Sequence, residues 1–347
     1  MDIAEFRKKL NKRILVMDGA TGTEIQSLGL SEEDFRGKLF KDYSKDLKGN
    51  YDLLNLTQPE VIKEIHKSFL NKGSDFIQTN TFNSSSISQN DYGLGGKAYE
   101  LNLNGAKIAK EAIKESKTNA WVIGSIGPTN TTASMSPDVS DPAKRNILFD
   151  QLVNSYKECI EGLIDGGVDF LMFETIFDTL NAKAGIYAYF NKCEENGKKI
   201  PLMISGTISD NSGRILSGQT PEAFWTSIKH ANPYSVGFNC SLGAEQLRPY
   251  LVSLNKSTDV PISLHPNAGL PNEMGDYDET PSHMAKVIKE MAENGLLNIV
   301  GGCCGTTPNH IEAIKDALEG IKPRKLTTHK QQSTFSGLEH LVITNDS

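Results

Sequence analysis

Asn298-Ile-Val-Gly-Gly-Cys-Cys-Gly-Thr-Thr-Pro308 reads as a short apolar run, a glycine-bounded turn and the opening of a helix. Ile299 and Val300 suit a buried strand. Thr307 is a helix-capping residue type, and it stands directly before Pro308, whose fixed φ and missing N–H suit a first helical position. Working toward the N-terminus, the same grammar recurs. Candidate strands cover residues 14–19, 76–82, 121–127, 170–176, 202–208, 235–241 and 262–267, with 298–304 as the last. Amphipathic stretches separate them. Pro59, Pro221 and Pro281 take first helical positions, the latter two behind Thr220 and Thr280, while Gly73, Gly166-Gly167 and Gly295 mark helix stops.

Eight strands, each followed by a helix, predict an α/β fold of the (β/α)8 TIM barrel type, a domain that ~300 residues can build. A doubly wound open sheet is the runner-up. It fits less well because the strand spacing is near-regular and no dinucleotide fingerprint follows the first strand. The long first connection, 24–57, is expected to cover part of the barrel mouth. Residues 1–322 form the expected barrel, and the polar segment 323–347 reads as a tail or linker.

Composition narrows the function classes. Against 43 acidic side chains stand 36 basic ones, a net charge of −7, which argues against nucleic-acid or anionic-membrane partners. The charged N-terminus carries no signal-peptide pattern, and no window approaches the ~18 apolar residues of a membrane span. Five cysteines, two adjacent, do not make a disulfide framework in 347 residues, so a reducing cytoplasmic setting is expected.

In such barrels the chemistry lies at the carboxyl ends of the strands. Three cysteines fall there: Cys240 from the sixth strand, Cys303 and Cys304 from the eighth. An adjacent pair can also be two packed cysteines or a strained vicinal disulfide, but the third cysteine at the same rim favours a metal. Three thiolates with an open fourth position suit Zn2+. Cys240 and Cys303 are 63 residues apart, unlike the close pairs of a zinc finger, so a functional centre is expected. Cys159 and Cys193 lie in helical stretches and read as packing or surface residues.

A zinc ion with three anionic sulfur ligands activates water poorly but holds an exchangeable fourth thiolate well. A thiol of pKa ~8.5 is about 3% ionised at pH 7, so deprotonation gains at most ~30-fold, and positioning must supply most of the rate. The rim also suits an amino acid. Asp18 and Glu174 can meet an ammonium group, and backbone N–H groups of the turn Gly19-Ala20-Thr21-Gly22 a carboxylate. Asn80 and Ser125 are further candidate contacts. Each has a structural alternative: Asp18 as a cap, Glu174 as partner of a buried arginine or amide, Asn80 and Ser125 as scaffold. His265 is an alternative zinc ligand, though a lone loop histidine more often caps or packs. No P-loop, nucleophile elbow or strand lysine for a Schiff base is present.

Read in order, Asp18-Gly-Ala-Thr-Gly-Thr-Glu24, Gln78-Thr-Asn-Thr-Phe82, Gly124-Ser-Ile-Gly-Pro-Thr-Asn130, Phe173-Glu-Thr-Ile-Phe-Asp178, Gly237-Phe-Asn-Cys-Ser-Leu-Gly243, Pro266-Asn-Ala-Gly-Leu-Pro271 and Gly301-Gly-Cys-Cys-Gly-Thr306 resemble the homocysteine S-methyltransferase family. Leu216-Ser-Gly-Gln-Thr220 and Asp276-Tyr-Asp-Glu-Thr-Pro281 extend the likeness, which is greatest to the homocysteine-binding module of cobalamin-dependent methionine synthases.

The resemblance implies zinc on Cys240, Cys303 and Cys304, with Asn267 in the fourth position until L-homocysteine displaces it. It places the amino-acid end of the substrate at Asp18 to Thr21 and Glu174. It also implies methylcobalamin as donor, giving methionine and cob(I)alamin. Full-length members continue into folate- and cobalamin-binding modules. No cobalamin-binding Asp-x-His-x-x-Gly pattern is found here, so the corrinoid is expected on a partner module or subunit. Betaine or S-methylmethionine as donor is the alternative enzyme reading. A non-catalytic zinc- or thiol-binding module is the alternative of another class.

Overall fold

The computed structural model describes residues 3–209, 212–273, 275, 277–327 and 332–344; Asp276 of the motif above and parts of the segment 323–347 lie outside them. Eight strands form one parallel sheet: β1 Leu15–Val16, β2 Phe76–Gln78, β3 Trp121–Ile126, β4 Phe170–Ile176, β5 Leu202–Gly206, β6 Ser235–Gly243, β7 Ile262–Asn267 and β8 Ile299–Val300. Their order is β1-β8-β7-β6-β5-β4-β3-β2. A parallel bridge between Met17 and Phe76 joins the two ends, supported by the Asp75 N–H donating to Val16 O at 2.7 Å, so the sheet closes into a (β/α)8 barrel. Its outer ring is Pro59–Asn71, Ala98–Ser116, Phe149–Asp165, Thr179–Glu195, Pro221–Ile228, Ala244–Asn255, Pro281–Glu293 and Pro308–Ala317.

Strand alternation sorts the side chains into two cores. Val16, Ile77, Val122, Leu171, Phe173, Ile204, Val236, Leu264 and Val300 face the helices. Leu15, Met17, Phe76, Trp121, Ile123, Phe170, Met172, Met203 and Ile299 fill the barrel interior. The helix Ile3–Leu10 adds Phe6 to that interior, with its ring centroid 5.0 Å from Phe170 and 5.6 Å from Trp121 in edge-to-face contacts. Trp121 and Phe170 are the first residues of β3 and β4, so Phe6 plugs the amino-terminal end. Farther along, the inward positions turn polar: Ser125 two after Ile123, Glu174 two after Met172, Ser205 two after Met203. The barrel is apolar at its floor and polar toward its mouth.

The helix starts follow the capping chemistry. Thr220 and Thr280 accept hydrogen bonds from the N–H groups of Ala223 and His283. At Thr307 the arrangement differs, because its own N–H donates to His310 Nδ1 at 3.1 Å. The connection after β1 packs over the end of β2: Asn80 Nδ2 donates to Tyr51 O, and the Asn83 N–H and Ser84 Oγ both donate to Asp52, each at 2.8 Å.

Strands β1, β2, β5 and β8 are shorter than expected, and β3 by one residue. Strand β8 stops at Val300, and Cys303 and Cys304 lie beyond it in a turn. The Gly302 N–H turns to Asp18 O at 3.1 Å and the Cys303 N–H to Pro266 O at 2.7 Å. Strand β2 stops at Gln78, where the Thr81 N–H folds back onto Thr79 O.

In the segment 323–347, buried Arg324 donates to Val260 O at 3.0 Å and Thr258 O at 2.7 Å. The hairpin of β9 Thr334–Ser336 and β10 His340–Val342 lies against Pro221–Ile228, with Ser336 Oγ donating to Ala223 O at 2.7 Å. No helix among the described residues is long and apolar enough to cross a membrane.

Candidate metal centre and active site

Strand β6 delivers Cys240 through an irregularity. Its register against β7 shifts between Asn239 and Gly243, and Cys240 and Ser241 take φ of 61° and 62°. Left-handed backbone at a non-glycine residue costs ~1 kcal/mol or more, so neighbouring contacts must hold it. Fully buried Asn239 supplies some of them: Oδ1 accepts from Ser205 Oγ at 2.7 Å and the Thr175 N–H at 2.9 Å, while Nδ2 donates to Thr175 Oγ1. Thr175 is also left-handed, with φ of 54°. One amide thereby fixes the two kinks that flank Cys240 and Glu174.

The turn carrying Cys303 and Cys304 is clamped between strand ends. The Ala268 N–H donates to Cys304 O at 2.9 Å, the Gly305 N–H to Thr23 Oγ1 at 2.9 Å, and Thr306 Oγ1 to Cys303 O at 2.5 Å. Gly305 has φ of 78°, and a Cβ there would come within 2.2 Å of Tyr277 Cβ. Only glycine permits that approach.

The three sulfurs, all partly buried, lie within 4.8 Å of one another, with Cys240 Sγ 3.8 Å from Cys304 Sγ. Tetrahedral zinc with ~2.3 Å bonds to sulfur requires sulfur separations of about 3.8 Å. Asn267 ends β7 between Pro266 and Ala268, the residues that hold the cysteine turn. It is buried, and its Oδ1 has no hydrogen-bond partner among the described residues. An orphaned carbonyl oxygen on the residue between the two that brace the cysteine turn suits a fourth ligand position. The donor set therefore fits zinc.

His265, two residues earlier on β7, is buried outside the sulfur cluster, and burial lowers its pKa to about 3, so the ring is neutral. Without metal, the cysteines share charge unevenly. Hydrogen bonds from Cys240 and Cys303 pull Cys304 down. Cys303 is raised by its bonds to Cys240 and Cys304 and by burial. Cys240, although a bond from Cys303 lowers it, is raised on balance by its bond to Cys304 and by burial.

The expected substrate contacts divide. Glu174 is buried at the mouth, raised by desolvation to about 7 although Ser125 Oγ hydrogen-bonds to it. A matching ammonium group would restore its charge. Asp18 is fully enclosed; its Oδ2 accepts from the Gln78 N–H at 2.9 Å and its Oδ1 from Gln78 Nε2 at 3.3 Å, tying β1 to β2. Burial raises it to about 8, against those bonds, with the nearby Glu174 charge adding to the rise. Asn80 is oriented into the scaffold, toward Tyr51 O and Asn55 Oδ1.

At the first turn, the Ala20 N–H is taken by Thr306 O at 3.0 Å, and Thr21 opens the short helix Thr21–Ser27. Gly19 is required there, since a Cβ would lie 2.6 Å from Thr306 O. Sequence reasoning missed two residues. Asn239 stood beside Cys240 among the strand ends, and Tyr277 stood inside the Asp276–Pro281 motif; its Cβ packs where a side chain at Gly305 would stand.

Among solved structures, the chain is similar to the homocysteine methyltransferase MmuM from Escherichia coli. Its oxidized form is 20% identical at a TM-score of 0.68, with 87% of this chain and 95% of that one covered. Its metallated form is 21% identical at 0.66, with 90% and 98% covered. At such identity the likeness speaks for the fold, which the barrel topology shares. The sequence model of homocysteine S-methyltransferases matches residues 15–318, a span that holds every strand of the barrel and all three rim cysteines, and the chain belongs to that family.

Proposed function

We infer that this protein transfers a methyl group to the thiol of L-homocysteine, giving L-methionine, with zinc held by Cys240, Cys303 and Cys304. The observation that carries the reading is the convergence of three sulfurs to within 4.8 Å of one another. In this reading Asn267 would be the fourth ligand, at the position the substrate sulfur would take. When bound, the ion supplies Lewis acidity that keeps the substrate sulfur a thiolate at neutral pH.

The remaining work falls to the chain. Glu174, held by Ser125, receives the substrate ammonium, and the paired charges replace the water each loses. Asp18 and Gly19 to Thr21 line the carboxylate end, Asp18 by keeping β1 and β2 together. Asn80 supports that end through the first connection. With the amino acid held at both ends, the sulfur faces the donor. Its electron pair forms the new bond to the methyl carbon, and the old bond breaks with its pair leaving on the donor.

The donor we assign is methylcobalamin carried by a partner module or subunit, because the motifs resemble the cobalamin-dependent branch most. Residues 1–322 are the unit we propose for this chemistry. A reducing compartment such as the cytoplasm suits three free thiols at one rim.

The test is methionine formation from homocysteine with methylcobalamin, betaine or S-methylmethionine offered separately, before and after chelation. Turnover with methylcobalamin that disappears on chelation and in Cys304→Ala is expected. Fast turnover with either other donor reassigns the branch, and undiminished turnover without zinc sinks the metal reading.

A further inference from the structure

We propose that Asn239 is a positioning residue that couples the metal centre to the amino-acid end of the substrate site. Through it, zinc on Cys240 and an ammonium group on Glu174 each tighten the binding of the other. The inference rests on the proposed function above and deepens it.

The coupling runs through one side chain. A backbone N–H can only donate, so the Thr175 N–H fixes Oδ1 of Asn239 as the acceptor and Nδ2 as the donor. Oδ1 takes the Thr175 N–H at 2.9 Å and the Ser205 hydroxyl at 2.7 Å, and Nδ2 donates to Thr175 Oγ1 at 2.7 Å. The amide starts on β6, meets Ser205 on β5 and ends on β4, the strand that carries Glu174. Asn239 is fully buried, so water does not replace a bond that it loses.

The two strand ends it joins are irregular in the same way. On β4, Thr175 has φ of 54°, and the pairing with β5 shifts register between Phe173 and Ile176. On β6, Cys240 and Ser241 have φ of 61° and 62°, and the pairing with β7 shifts between Asn239 and Gly243. Glu174 lies inside the first shift and Cys240 inside the second. Left-handed backbone at residues other than glycine relaxes toward extended structure unless contacts hold it. Each shift is therefore an element with a kinked and a relaxed arrangement. Asn239 opens the second and bonds to the first at both the N–H and the hydroxyl of Thr175. A metal bond to Cys240 holds the second kink and with it Asn239. The amide in turn holds Thr175, and so the direction of the Glu174 carboxylate. By linkage the effect is reciprocal.

The test uses L-norleucine, which has the amino-acid end of the substrate and no sulfur. Calorimetry under reductant measures its Kd on the zinc-free and zinc-loaded full chain. The variants are Asn239→Ala, which removes all three bonds, and Ser205→Ala, which removes one. Zinc is expected to tighten norleucine about 5-fold or more in the wild type, not at all in Asn239→Ala, and by an intermediate factor in Ser205→Ala. A residue that only stabilised the fold would weaken norleucine equally in both forms and leave the ratio unchanged. A ratio of one in the wild type, or the wild-type ratio kept in Asn239→Ala, overturns the inference and leaves the zinc reading intact. If that variant does not fold, the wild-type ratio kept in Ser205→Ala does the same. A wild-type chain that holds no zinc, or norleucine bound by neither form, overturns the proposed function as well.

Discussion

Cys240 Sγ and Cys304 Sγ lie 3.8 Å apart although 64 residues separate them in the chain. Strands β6 and β8 are not neighbours in the sheet; β7 runs between them, and Asn267 at its end lies between the residues that hold the cysteine turn. The centre is therefore a property of three consecutive strand ends.

Its protonation follows from that geometry. Hydrogen bonds from Cys240 and Cys303 lower Cys304, while the other two are raised, so the metal-free cluster holds one thiolate and two thiols at pH 7. Zinc needs all three deprotonated, so binding is expected to release about two protons. Calorimetry in buffers of different ionisation enthalpy measures the number. A release near three would mean that the shared-charge cluster does not exist.

Asn267→Ala removes the orphaned oxygen. Zinc affinity of the substrate-free protein is expected to fall by about 10-fold, with much less loss when homocysteine is present to complete the set. Chelator competition with and without homocysteine distinguishes the cases. Equal losses in both would take Asn267 out of the ligand exchange.

Glu174→Gln separates binding from stability. Burial raises Glu174 from 4.5 to about 7, so the folded state holds its proton more tightly than the unfolded one. The associated stability is whole below about pH 4.5 and is lost as pH rises through about 7, at a cost of up to ~3 kcal/mol. The glutamine variant should be more stable to denaturant at pH 8 and less pH-dependent. Its KM for homocysteine should rise about 10-fold or more, because the ammonium loses its charged partner. An unchanged KM would remove Glu174 from substrate recognition.

His66 governs acid sensitivity away from the site. It is fully buried in Pro59–Asn71, neither ring nitrogen has a hydrogen-bond partner among the described residues, and burial lowers it from 6.5 to about 4. The neutral ring's stability is complete above pH 6.5 and lost as pH falls through about 4. His66→Leu should therefore lose ~2 kcal/mol less than wild type between pH 7 and 5, read by urea unfolding at both. Parallel losses in the two proteins would show that His66 stays unprotonated in the unfolded chain or protonates freely in the folded one.

Much of this was legible beforehand because it depends on local patterns. Short apolar runs marked all eight strands, and threonine–proline pairs marked three of the ring helices. Cysteines at two strand ends pointed to one rim. What escaped had no local signature. Asp18 reads as a mouth residue, yet closure of β1 onto β2 encloses it against Gln78. The Ala20 amide looks available, yet it meets Thr306 O. Tyr277 became visible only once Gly305 was seen to admit it.

By itself, the sequence determined the barrel and which three cysteines share one rim, because apolar runs and helix capping act within a few residues. Only the tertiary structure decided which buried groups remain unpaired, which amides are already taken and which side chain packs against Gly305. Those outcomes depend on separations of a few ångströms between segments remote in the chain, set by barrel closure and packing, and no spacing along the sequence encodes them.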